Sequence, residues 1–222
     1  MSSTSDTLLV RPALRTPRAA AIAGILFSVL LIYALWILRL SIPADPRATG
    51  WLTSDPGRLS SALALIPVAG VAFMWFLGVL RDRLGAMEDR FFATVFLGSG
   101  LLFLGMTFVA AAGLSALVLV RPDQTGGAPG TATLAFGRAF SHEVMRTYAF
   151  KMASVFMIST CTIIVRTRIS PKWVAVAGYV SAVLLLFGSG YLDWTFFLFP
   201  AWILVLSTTM LLARGVWDAG RP

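Results

Sequence analysis

The chain has 222 residues, of which 58% are hydrophobic and only 13% charged, and its mean hydropathy is +0.83. Soluble domains carry about 25% charged residues, so this chain lacks the charge that a water-facing surface needs. These values exclude a soluble globular protein, a disordered chain and a collagen-like repeat. The apolar residues fall in runs of about twenty, the length of a helix that crosses a bilayer. The predicted fold class is therefore all-α, a polytopic transmembrane helix bundle.

The net charge of +8 arises from 16 Arg and 2 Lys against 10 acidic residues. A nucleic-acid-binding protein collects such charge on one face. Here the basic residues stand at the ends of apolar segments, as the positive-inside rule distributes them. The expected partner is therefore the lipid bilayer, and no nucleic-acid partner is expected. Cys161 is the single cysteine and can form no disulfide within the chain.

In chain order, we predict a disordered basic tail over residues 1–18, one transmembrane domain over 19–213 and a short C-terminal tail over 214–222. The first apolar run is too long for a signal peptide, so we expect an uncleaved first helix. Six transmembrane helices are predicted, at about 19–38, 61–80, 91–120, 142–165, 173–192 and 195–213.

The orientation in the membrane follows from the basic residues on alternate sides of these six spans. Eleven Lys and Arg residues lie on the side of the N-terminus and five on the other side, with two inside the fourth span left out. Because basic residues accumulate in cytoplasmic loops, both termini are predicted to be cytoplasmic. The expected location is the inner or plasma membrane, as a multi-pass protein.

Small residues at intervals of four predict where helices pack closely, because they let two backbones approach. Three such sets stand on the first, third and fifth spans: Ala20, Gly24 and Ser28; Ala112 and Ala116; Gly178 and Ala182.

Motifs that carry chemistry are missing from the sequence. There is no HExxH, GxSxG, phosphate-binding GxxxxGK[ST] or CxxC pattern. His142 is the only histidine, so one chain cannot build a histidine metal cluster or a pair of histidines for proton relay. We therefore predict no enzymatic activity, no metal site and no cofactor.

The fourth span carries the most informative polar side chains. On a regular helix several of them fall on one stripe, which should face the bundle interior or a water-filled cavity. The structural interpretation is an ion pair of Lys151 with Glu143, or a lysine that snorkels to water. The functional interpretation is a surface that lines the path of a solute. The candidate residues for either role are Glu143, Arg146, Thr147, Lys151 and Ser154.

The loop RDRLGAMEDR (81–90) is the second candidate feature. As a solvated hairpin it would hold ion pairs worth little each. The alternative is a cytoplasmic interaction network of its six charged residues, Arg81, Asp82, Arg83, Glu88, Asp89 and Arg90.

Gly78, Asp82, Arg83 and Gly85 reproduce the spacing GxxxDRxG. This pattern resembles the loop between helices two and three of major facilitator transporters. The resemblance implies that the Asp and Arg help lock neighbouring helices on the cytoplasmic side. That family has twelve spans and continues with a basic pair where this chain has Ala86 and Met87.

Residues 81–103 and 151–179 together resemble an uncharacterised family of bacterial multi-spanning membrane proteins. The resemblance implies a six-helix integral membrane protein and no particular activity.

Two functions from different classes follow. The first is a non-enzymatic integral membrane component with an accessory, stabilising or sensing role. The second is a small-solute transporter or channel that uses the polar stripe of the fourth span. Either would allow a homo-oligomer or a complex with another membrane protein.

Overall fold

The computed structural model describes residues 16–42, 55–84, 90–120, 130–167, 170–188 and 193–218. All regular structure in these ranges is helical, which confirms the all-α class. A π-helical turn, Val144–Ala149, joins α4 to α5, and a 3-10 turn, Asp193–Phe197, precedes α7. The helices are α1 Thr16–Ser41, α2 Pro56–Leu84, α3 Arg90–Leu119, α4 Thr131–Glu143, α5 Phe150–Thr167, α6 Lys172–Gly188 and α7 Leu198–Asp218.

Five segments of these helices are long and apolar enough to cross a membrane: Ala19–Ser41, Pro56–Arg81, Phe91–Leu119, Ala132–Arg166 and Trp194–Leu212. The fifth predicted span corresponds to α6, a shorter apolar helix of 17 residues. A membrane-spanning helical bundle is therefore the architecture.

Three helices begin at least three residues earlier than hydropathy alone predicts. α1 begins at Thr16, so the predicted disordered tail over residues 1–18 was wrong for residues 16–18. α2 begins at Pro56 rather than at residue 61, because proline suits the first helical position and the Asp55 carboxylate accepts the Arg58 backbone N–H at 3.1 Å. α4 begins at Thr131 rather than at residue 142. Its first turns are amphipathic, so a search for continuous apolar runs passes over them.

The two ends of the bundle are marked by contacts between helices. At one end, the ring of Trp36 in α1 lies 6.2 Å from the ring of Phe197 in the 3-10 turn. At the other, the Arg166 guanidinium of α5 lies 4.8 Å from the centre of the Phe92 ring in α3. We call these the Arg39 end and the Arg166 end, after the arginine at the close of α1 and the arginine at the close of α5.

A phenylalanine cluster fills the middle of the bundle. Its five rings, Phe27, Phe73, Phe103, Phe156 and Phe199, come from α1, α2, α3, α5 and α7, and all are at most 1% exposed. Centroid separations of 4.5 Å for Phe103 and Phe199 and 4.7 Å for Phe27 and Phe73 are those of favourable aromatic pairs. The cluster therefore ties five helices together at one level.

The small-residue face of α1 packs as predicted. Ala20 and Ser28 are fully buried. A Cβ atom on Gly24 would overlap the Ser207 hydroxyl of α7 and lie 2.8 Å from Phe76 Cδ2 of α2. Only glycine fits where α1 crosses these two helices, so the predicted contact face is confirmed.

Of the other two small-residue sets, one is buried and one is exposed. Gly178 and Ala182 of α6 are buried, as predicted, and a side chain on Gly178 would overlap Cys161. Ala112 and Ala116 of α3 are exposed, so that prediction was wrong. The neighbouring Gly113 is the residue of α3 that permits close approach to α4.

Candidate functional site: a cleft at the Arg39 end

An open cleft of about 400 Å³ lies at the Arg39 end, between α1, α2, α3, α4, the π-helical turn and the 3-10 turn. Most of its wall is aliphatic or aromatic. The polar residues among those that line it are Arg39, Thr107, Arg138, Ser141 and His142. The cleft thus combines an apolar wall with three basic side chains.

The π-helical turn determines which side chains of this helix face the cleft. The Val144 N–H donates to the carbonyls of Phe140 and Ser141, and the Phe150 N–H donates to the Met145 carbonyl five residues back. Such a turn is wider than a regular helical turn and occurs often at functional sites. It shifts the phase of the helix, so that the part before it lines the cleft and the part after it packs on the phenylalanine cluster.

Two hydroxyl groups in the cleft are already hydrogen-bonded to the backbone. Ser141 Oγ donates to the Gly137 carbonyl at 2.9 Å, and Thr107 Oγ1 donates to the Phe103 carbonyl at 2.8 Å. Their donor hydrogens are therefore used within the helices. The basic side chains carry the other polar groups that line the cleft.

The three basic side chains come from two helices. Arg39 is exposed in the last turn of α1, whereas Arg138 is half-buried in α4, one turn before the exposed His142. The His142 ring lies 6.1 Å from the Phe196 ring. Each of the three has a further contact of its own within the protein. Among the described residues that line the cleft there is no carboxylate.

The predicted residues of the fourth span separate into two groups. Arg146 Nη2 lies 3.6 Å from Glu143 Oε2, and the Thr147 hydroxyl donates to the same carboxylate. Ser154, by contrast, is fully buried and donates to the Phe150 carbonyl at 2.8 Å. The π-helical turn itself holds Arg146 and Thr147 and changes the phase of the helix before Ser154, so the two groups do not form one continuous stripe.

Lys151 belongs to neither group. It is exposed, and within the described part of the chain it makes no ion pair or hydrogen bond. It lies 15 residues before Arg166, about 22 Å along the helix. Side chains on a helix lean toward its N-terminus, which here is the Arg39 end. This direction allows the ammonium to reach toward the membrane surface, as lysines near helix ends do.

None of the five fourth-span candidates is among the described residues that line the cleft. Glu143 pairs with Arg146 and not, as predicted, with Lys151. The role of these residues in lining the path of a solute stays a prediction.

The charged loop of residues 81–90 lies almost wholly outside what the structure describes. Arg81 is exposed at the end of the second span. The predicted network of this loop stays a prediction, because the side chains of its other charged members, Asp82, Arg83, Glu88, Asp89 and Arg90, are outside the described residues.

Sequence reasoning used Arg39 and Arg138 only to count charges for topology and missed their place in a cleft. One signal was present, since Arg138 and His142 stand four residues apart and share a helix face. Nothing in the sequence linked them to Arg39, which is about a hundred residues away. In the described ranges, no three His, Cys, Asp or Glu side chains gather as metal ligands would.

No protein-family model, no curated protein and no solved structure matches this chain. The comparisons therefore add no support to the resemblance to major facilitator transporters or to the six-span count.

Proposed function

We propose that this protein is a non-enzymatic component of a bacterial cell membrane, with a sensing or accessory role, that binds a ligand in the cleft at the Arg39 end. Its surroundings are the lipid bilayer, in which a second copy or another membrane protein is its partner. One observation carries the proposal: the cleft is closed toward the middle of the bundle.

The closure is made by the phenylalanine cluster. Leu31 and Thr107 line the cleft, and one turn farther along the same helices stand Phe27 and Phe103. Both rings are at most 1% exposed and lie 6.5 Å apart, with Phe199 4.5 Å from Phe103. Close-packed rings leave no passage for a solute at this level. Such a blind cleft, which is closed at its inner end, can bind a ligand but offers a solute no path across the bundle.

In this proposal the chain crosses the membrane six times, with α6 as the fifth crossing. Ser170, just before α6, contacts Thr209 at 3.1 Å near the Arg166 end. Phe197, just before α7, lies beside Trp36 at the Arg39 end. The segment between Ser170 and Phe197 therefore runs the length of the bundle, which supports a sixth span. At 17 residues α6 is about 26 Å long, a small mismatch that a bilayer accommodates.

Six crossings keep the two termini on one side, and the excess of basic residues at the Arg166 end favours the cytoplasm for that side. The cleft then opens at the outer face of the membrane. Cysteine labelling tests both points with Leu114→Cys, because Leu114 is half-buried in the cleft wall. The native Cys161 is fully buried and serves as the matched control in every sample.

A membrane-impermeant maleimide should label Leu114→Cys in intact cells and leave it unlabelled in inside-out vesicles, while Cys161 stays unlabelled in both. Labelling from both sides would instead support the transporter alternative, in which the phenylalanine cluster opens in turn to each side. Labelling from neither side would contradict an open cleft. Labelling only in inside-out vesicles would overturn the orientation and leave the blind cleft standing.

A further inference from the structure

We infer that the cleft binds an amphipathic anion, with its charged headgroup at Arg39, Arg138 and His142 and its aliphatic chain along the apolar wall. The inference rests on the proposed function, because it names the class of ligand for the same cleft. Phosphate or carboxylate is the headgroup chemistry, and a membrane lipid or a free anion could supply it.

The basic side chains favour an anion. A guanidinium presents five N–H donors in a planar fork that matches the oxygens of a phosphate or a carboxylate. Arg39 and Arg138 can therefore keep the contacts that they already make and still donate to a ligand. The described residues that line the cleft include these three basic side chains and no acid.

The wall favours an aliphatic chain. Apart from the five polar residues, the described lining consists of Leu, Ile, Ala, Met and Phe side chains. The volume of about 400 Å³ lies in the range of small-molecule sites, roughly 300–1,000 Å³. A small inorganic anion would leave this apolar surface uncovered, and a neutral lipid would make no charge-assisted contact with the two arginines. An amphipathic anion satisfies both parts of the cleft.

The position of the cleft in the membrane agrees with this ligand. Arg39 lies in the last turn of α1, two residues before the end of the candidate span at Ser41. Lipid headgroups lie at this depth, and an arginine there can donate charge-assisted hydrogen bonds to a phosphate group. The deeper lining residues, such as Leu31 and Ile66, stand where acyl chains lie.

The test measures which lipid the full-length protein retains. The purified chain is placed in phosphatidylcholine nanodiscs that contain a small fraction of phosphatidic acid with the same acyl chains, and the protein–lipid adducts are counted by native mass spectrometry. Wild-type protein should retain one phosphatidic acid at least about tenfold more strongly than phosphatidylcholine, as expected for charge-assisted contacts of this kind. Inorganic phosphate at the same concentration should not displace the lipid.

Arg138→Gln should lower the retention of phosphatidic acid about tenfold. Arg58→Gln is the matched control, because Arg58 is an exposed arginine near the same end and is not among the cleft residues. Leu114→Trp, which fills the cleft, should also lower retention. Where that variant lowers the folded yield, Leu114→Phe gives a smaller increase in volume at the same position.

Three results would overturn the inference. Displacement of the lipid by inorganic phosphate would assign the basic groups to a free anion. Equal retention of phosphatidylcholine, unchanged by Arg138→Gln, would show a site for neutral lipid and would leave the proposed function intact. Unchanged retention in the cleft-filling variants would place the lipid elsewhere on the protein. The proposed function has its own test in the labelling of Leu114→Cys, so the two failures are distinguishable.

Discussion

The two levels of this bundle are built largely from the same helices and differ in how their side chains meet. In the middle, α1, α2 and α3 contribute phenylalanine rings that fill the space between backbones. At the Arg39 end, the same helices contribute Leu, Ile, Ala and Thr side chains, and a cleft is left open. Helix arrangement therefore does not by itself decide where a cavity forms. The volume of the side chains at each level decides it.

The largest expected effect is at the closest helix crossing of the packed level. Gly24→Leu should lower the free energy of unfolding by about 4 kcal/mol or more, in the range of severe single substitutions, because its side chain would overlap Ser207 and Phe76. Ile25→Leu, on the adjacent position, should change it by about 1 kcal/mol. Unfolding of both variants in mixed micelles gives the comparison. Similar stability of the two would refute the assignment of this face to close packing.

A substitution at each level sharpens the contrast. Phe73→Ala should cost about 3–5 kcal/mol, since the ring is fully enclosed and its removal leaves a cavity. Leu35→Ala, at the cleft wall, should cost about 2 kcal/mol, the low end for such a change, because the space that it vacates joins an existing opening. Thermal unfolding in one detergent measures the two. Equal losses would mean that the cleft is as tightly closed as the cluster.

The smallest effect is expected at two buried hydroxyls. Ser28 Oγ donates to the Gly24 carbonyl at 2.8 Å, whereas Ser207 Oγ is buried and, within the described part of the chain, has no hydrogen-bond partner. Ser207→Ala should therefore raise stability by up to about 1 kcal/mol, and Ser28→Ala should lower it by about 1 kcal/mol. The difference in unfolding free energy is the measurement, and a loss with Ser207→Ala would point to an unseen partner.

Much of the fold could be predicted because its signals are local in the chain. Length, charge and the run of apolar residues are enough for an all-α membrane bundle, and the spacing of Ala20, Gly24 and Ser28 is enough for the packing face of α1. The same spacing failed for Ala112 and Ala116, which are exposed. Small residues permit close approach, but a neighbouring helix must also lie on that side.

The cleft could not be predicted, because its parts are distant in sequence. Arg39 and Arg138 come to line one cleft through the folding of four helices, and no local pattern connects them. The polar stripe of the fourth span was drawn with a uniform 100° per residue, an assumption that fails across the π-helical turn. Glu143 therefore stands with Arg146 on the surface, whereas Ser154 lies in the core.

The π-helical turn also affects which substitutions the protein can accept in evolution. In a regular helix the rotation per residue is constant, so the face on which a residue before a given point lies is tied to the face of each residue after it. A different face toward the neighbours at one end then requires repacking at the other. The turn at Val144–Ala149 breaks this tie within a single continuous helix. Substitutions in α4 can alter the chemistry of the cleft while α5 keeps its register against the aromatic rings.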